Sequence, residues 1–141
     1  MFTVFVERIG HAARMRTEKM ANKISILGTD YDLEIVARSS DPTMIGDGYV
    51  DTSVKKIRVA DMLEEDSRQA KKDLKKYQMD VIRHELVHAF LYESGLDSES
   101  WGRDEMIVDW IALQLPKINR AVAQAEIACG QVGDLDLYKM P

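Results

Sequence analysis

The sequence is short of several things at once. Its 141 residues include one cysteine, Cys129, and three histidines, His11, His84 and His88. A lone thiol excludes an internal disulfide and any zinc–thiolate cluster, and points to a reducing compartment. No run approaches the roughly 18–20 apolar residues of a spanning helix, so no membrane association is expected. The apolar start of MFTVFVERIGHAARMR lasts only to Val6 before Glu7 and Arg8 interrupt it. That is too short for a secretory signal, and the expected location is cytoplasmic. Positive charge is not in excess: 19 lysines and arginines face 24 acids, for a formal net charge of −5. Such a balance disfavours binding to a phosphate backbone, and no nucleic-acid partner is expected. Internal repeats and low-complexity tracts are absent as well.

What is present suits one compact domain, with 45% apolar and 30% charged residues. Residues 1–19 are basic and stand apart as an N-terminal arm or extension, leaving 20–141 as a single domain. KISIL and DYDLEIVAR are rich in branched residues, and Leu33, Ile35 and Ala37 alternate as on a half-buried strand. SSDPTMIGDG is a turn region, in which Gly46 and Gly48 serve turn chemistry or, alternatively, an exposed strand edge beside a cleft. GYVDTSVKKIRVA then resembles a hairpin bent near Asp51-Thr52-Ser53, with Ile57 and Val59 on one face of the return strand. These segments predict a small antiparallel sheet of about three strands.

Helical periodicity follows. Asp61 and Glu64 have capping-box spacing, and from about Ser67 past residue 90 apolar positions recur at three- and four-residue steps: Leu74, Tyr77, Val81, Ile82. Lys71, Lys72, Lys75 and Lys76 alternate with Asp66, Asp73 and Asp80, the pattern of a solvated face. Gly95 is a stop signal. A second helix is predicted from Asp104 to Leu115, its apolar face made of Met106, Ile107, Trp110, Ile111 and Leu113. Pro116 interrupts or kinks it, and a third helix runs through Ile118, Val122, Ala125 and Cys129 to Gly130. Phe90, Leu91, Trp101 and Trp110 are assigned to the core. Strands grouped before helices make the fold class α+β, a small sheet packed on a long helix with two further helices after it.

The chemistry lies in His84-Glu85-Leu86-Val87-His88. Four residues advance a helix by ~400°, so both imidazoles stand on one face, a turn apart, and can share one ion. Zinc suits neutral imidazole nitrogens. Glu85, rotated by ~100°, reaches a water at that ion without being an ideal ligand itself. Two histidine ligands and a glutamate general base are the elements of a zinc metallopeptidase. A catalytic zinc needs a third protein ligand. Glu105 and Asp109, an i, i+4 pair on the next helix, are the best sources, and spacing alone leaves open which of them binds. Asp97 and Glu99 are weaker candidates.

HELVHAF followed by an E-x-x-x-D helix resembles the gluzincins, the thermolysin-type metallopeptidases. The resemblance covers about residues 84–109 and implies His84, His88 and Glu105 as ligands of one Zn2+ per chain, Glu85 as general base, and Asp109 as the partner that orients His84. In size and layout the chain is similar to minimal HExxH proteins of the ImmA/IrrE type and the SprT-like families of bacteria and their phages. It departs from the ImmA/IrrE pattern at Val87, where glycine is usual. Those families imply a small sheet behind the zinc helix whose edge binds an extended protein or peptide substrate by strand addition; the corresponding segment here is 48–60. The expected function is therefore hydrolysis of peptide bonds by a zinc-activated water. Hydrolysis of a non-peptide substrate and a non-catalytic, zinc-stabilised binding module are the alternatives. Glu85 weighs against the latter, because a structural site is closed by a fourth ligand and needs no base. A donor for the oxyanion is not identified by this reading: Tyr92, Arg103 and His11 are read as a half-buried tyrosine, a surface arginine and an arm residue.

Overall fold

The computed structural model describes residues 22–63 and 72–130. The arm at 1–19 with His11, the capping-box residue Glu64, the helix start near Ser67 and the tail 131–141 lie outside the described residues. Four strands come first: β1 (Asn22–Ile26), β2 (Thr29–Val36), β3 (Gly48–Asp51) and β4 (Lys56–Ala60). Two helices follow, α1 (Leu74–Glu93) and α2 (Glu105–Ala128). The class is α+β, as expected.

The sheet has the order β1-β2-β4-β3. β1 and β2 form a tight antiparallel hairpin whose two-residue turn, Leu27-Gly28, lies at positive φ in both positions, which matches the twist of the strands it joins. β3 and β4 are also antiparallel, but β2 and β4 are parallel. The sheet therefore has four strands and mixed pairing, not three in antiparallel array. The cause is the long connection 37–47: it carries the chain two strand positions past β2 before β3 returns, and β4 then fills the gap. β4 must run parallel to β2 as a result.

That connection is held by ion pairs and hydrogen bonds. The Arg58 guanidinium donates to Asp41 Oδ2 at 2.8 Å and to Glu34 Oε2 at 2.9 Å. Tyr49 Oη donates to the same Asp41 oxygen at 2.8 Å. Bonds from Thr43, Arg58 and Tyr49 hold the Asp41 carboxyl well below the usual carboxylate range. Asp47 accepts from Arg38 at 2.8 Å and from the Tyr77 hydroxyl of α1. The start of β3 is thus tied both to β4 and to the helix.

Helix α1 begins where Asp73 accepts from the Lys76 amide at 3.0 Å and ends at Gly95, which takes a left-handed φ of 74°. Its inner face packs Ile82 and Ala89 on Ile26, Tyr31, Leu33, Ile57 and Val59. Near its C-terminus Glu93 accepts from Thr29 at 3.0 Å and from Tyr31 and Lys55 at 2.6 Å each, so both hairpins are fastened to the helix end. Burial, helped by Glu93, pushes the Tyr31 phenol up to about 12.

The two expected C-terminal helices are one, because α2 continues through Pro116. A proline removes one N–H and strains one turn, and the good helix formers on its flanks, Leu113 and Leu115 before it and Ala121, Ala123 and Ala125 after it, favour helix enough to absorb that cost. The seam between α1 and α2 is made by Val87, Leu91, Val108 and Ala112. Small residues let the helices approach. The large side chains assigned to the interior lie elsewhere: Met106, Trp110, Leu113, Phe90 and Trp101 are all exposed. No described helix is long and apolar enough to cross a membrane.

Candidate active site

Two turns of α1 supply the centre of the site. His84 and His88 project on one stripe, as the four-residue spacing requires, with their Nε2 atoms 3.0 Å apart. Glu105, the first residue of α2, meets them from the other helix. Its Oε2 lies 3.1 Å from His84 Nε2 and its Oε1 3.5 Å from His88 Nε2. One atom from each of the three residues falls within a cluster no wider than 4.8 Å. Behind His84, Asp109 Oδ1 accepts from Nδ1 at 2.7 Å. That bond fixes the tautomer and leaves the Nε2 lone pair directed at the cluster.

Do these residues fit a metal ion? Ligands held at ~2.0–2.1 Å around a tetrahedral zinc stand about 3.3 Å from one another. The observed separations are of that order: 3.0 Å between the two imidazole nitrogens, 3.1 Å from His84 to one Glu105 oxygen and 3.5 Å from His88 to the other. Two imidazole nitrogens and a carboxylate in such proximity are a suitable donor set for zinc. Burial also pushes the His88 imidazole below its usual value, with His84 acting in the same direction and Glu105 against it. A neutral ring is the form that ligates.

Glu85 is placed differently. It is 7% exposed, and its carboxyl is pushed up to about 7, first by burial; Glu105 adds to the rise and His84 opposes it. The side chain lies against the first residue of β3. A Cβ on Gly48 would stand 3.0 Å from both Glu85 Cγ and Oε1, and 3.1 Å from the Arg58 carbonyl oxygen. Gly48 is therefore required for space, at the strand edge beside the cleft. Turn chemistry, the other reading of this glycine, does not account for it.

The cleft has a volume of about 550 Å³ and runs between β3 and the start of α2, over the histidines and Glu85. β3 is one of the two outer strands of the described sheet and lines the cleft, so the segment 48–60 presents an edge there through its first strand. Tyr92 and Arg103, passed over in the sequence, also line it, as does Asp97. Asp97 stays outside the ligand cluster, and Glu99 does not line the cleft. Only the four-residue step from His88 to Tyr92 hinted at its position. For Arg103 the hint was its place just before the Glu105 helix.

A small α+β domain whose cleft joins a His–His–Glu cluster to a buried carboxyl has the equipment of a hydrolase. The chain belongs to the family described as Peptidase of plants and bacteria (BSP), whose model matches residues 3–128. Comparison with curated proteins and with solved structures gives no match.

Proposed function

We propose that this member of the peptidase family is a zinc-dependent, gluzincin-like metallopeptidase, with His84, His88 and Glu105 as metal ligands and Glu85 as general base. The observation that supports it best is the convergence of two imidazoles and a carboxylate from two helices within 4.8 Å of one another, with a buried carboxyl beside them. A zinc ion bound there would polarise the scissile carbonyl and make water acidic enough to react near neutral pH.

The protein's own groups do the rest. Glu85 takes a proton from the attacking water and delivers it to the leaving nitrogen, for which a carboxyl tuned upward by burial is suited. With a divalent cation held beside it by His84, His88 and Glu105, the Glu85 carboxyl would be favoured in its base form before reaction. Asp109 holds the His84 ring in register. The substrate is an extended peptide that adds to the edge of β3 that no described strand pairs with, where main-chain hydrogen bonds give affinity independent of sequence.

Metal analysis and one substitution test the reading. The protein purified without added metal should carry about one zinc per chain, and Glu105→Ala should lose most of it. Glu85→Gln should keep the zinc and lose hydrolysis of a casein or peptide-pool substrate by a factor of about 10²–10⁴. Wild-type protein that takes up no zinc when it is supplied would refute the site. Full activity in Glu85→Gln would refute the role of the base.

A further inference from the structure

Several basic side chains on and around the sheet are committed to carboxylates: Arg38 to Asp47, Lys55 to Glu93, Arg58 to Asp41 and Glu34. Arg103 is not. It lines the cleft beside Glu105 and is the one lysine or arginine among the described lining residues. Only its Nε is engaged, donating to the Asp97 carbonyl oxygen at 2.7 Å. Its two terminal nitrogens have no hydrogen-bond or ion-pair partner among the described residues, the carboxylates of Asp97 and Glu105 included.

The backbone that carries it is closely held. Gly102 is buried, and a Cβ there would fall 2.1 Å from the Leu96 carbonyl oxygen, so the turn at 101–103 is pressed onto the turn at 96–98. A guanidinium anchored through Nε presents its terminal N–H groups as a planar fork whose direction is already set. That fork matches a carboxylate, which takes two parallel charge-assisted bonds; a peptide carbonyl would use one.

We propose that Arg103 determines specificity by binding a carboxylate of the peptide substrate close to the scissile bond. The proposal rests on the peptidase reading above. A glutamate or aspartate side chain and a free C-terminus offer the same chemistry, and the test separates them.

Quenched fluorogenic alanine-based peptides, with one residue set to Glu or Gln at successive positions and each made as free acid and as amide, are the probe. With the zinc-loaded full chain, one member of a Glu/Gln or acid/amide pair should be preferred by about tenfold in kcat/KM, the low end for a charge-assisted bond because the side chain faces solvent. The difference should lie in KM. A Glu/Gln preference identifies a side chain as the source, and an acid/amide preference the C-terminus. Arg103→Gln should bring the ratio near one, and Arg103→Lys should restore part of it. Fluorescence anisotropy of the same peptides on Glu85→Gln protein should show the same ratio in Kd. Cleavage or binding with no carboxylate preference in wild type, or a preference that survives Arg103→Gln, overturns the proposal and leaves the peptidase reading standing. Failure to cleave or bind any peptide overturns both.

Discussion

Gly48→Ala isolates the part of the site that depends on space. The added methyl would sit 3.0 Å from Glu85 Cγ and Oε1 and 3.1 Å from the Arg58 carbonyl oxygen, whereas relaxed carbon contacts lie near 3.5–4.0 Å. One neighbour must yield by several tenths of an ångström. The Arg58 carbonyl belongs to β4, in the ladder where Gly48 pairs with Val59, so moving it strains the sheet. The Glu85 side chain has rotatable bonds and will move first. Overpacking of this kind costs about 1–3 kcal/mol, partly offset by the ~0.4–1 kcal/mol that Gly→Ala contributes through the unfolded chain. The net expectation is a loss of about 1 kcal/mol in urea unfolding. The catalytic effect should be larger, because displacing a reacting group by ~1 Å can cost 10²-fold. We expect kcat to fall about 10- to 100-fold with KM changed little. Zinc content should stay at the wild-type level, since the ligand atoms do not touch Gly48. Gly46→Ala is the control: its Cβ would meet only the Gly48 carbonyl oxygen, at an ordinary 3.7 Å, and its activity should match wild type. Unchanged turnover in Gly48→Ala, or zinc lost in step with activity, would refute the assignment of Glu85 to this packed position.

Three further expectations follow from the same contacts. Asp109→Ala removes the acceptor for His84 Nδ1 and should weaken zinc binding about 10- to 100-fold in competition with a chromophoric chelator; unchanged affinity would dismiss the orienting role. Because the Asp41 carboxyl is held below its ordinary value, it stabilises the fold above that value, and the contribution drains away as pH falls below about 4. Thermal melts of Asp41→Asn should accordingly be lower than wild type at pH 6 and converge toward it in acid, and parallel curves would contradict this. Val108 is fully buried in the helix seam, and Val108→Ala should cost about 2 kcal/mol in urea unfolding; a loss below ~0.5 kcal/mol would mean that the seam is not a packed core.

Short-range periodicity made the chemistry legible. A helix turns by ~100° per residue whatever surrounds it, so His84 and His88 had to share a face once α1 formed, and Glu105 had to share one with Asp109. The pairing of those two helices was inferred from what a zinc site needs. Features set by distant partners were not legible. Glu34 is buried because Arg58 and Lys56 reach it from the neighbouring strand, while Ile35, expected inside, is 40% exposed. The parallel register of β2 and β4 depends on where a long connection lands. Gly48 carries no local sign that a glutamate 37 positions later needs its missing methyl. On α2, hydrophobicity pointed to Trp110 and Met106, but close approach of two helices selects small residues, and Ala112 holds the seam.

The site separates its carboxylates by environment, and this follows from helix geometry. Glu85 lies one residue from His84, so a rotation of ~100° takes it off the histidine stripe and turns it toward the sheet, where it packs against Gly48 and is largely buried. Glu105 and Asp109 approach from a different helix and remain two-thirds exposed, where negative charge costs little. The carboxylates proposed as ligand and base are therefore distinguished by burial before any substrate arrives. An exchange such as Glu85→Asp shortens the side chain that bridges these environments, and would leave the carboxyl beside β3 without reaching the cleft. Its activity should fall nearly as far as that of Glu85→Gln while zinc content persists. A variant retaining more than about a tenth of wild-type kcat would show that reach is not what places the base.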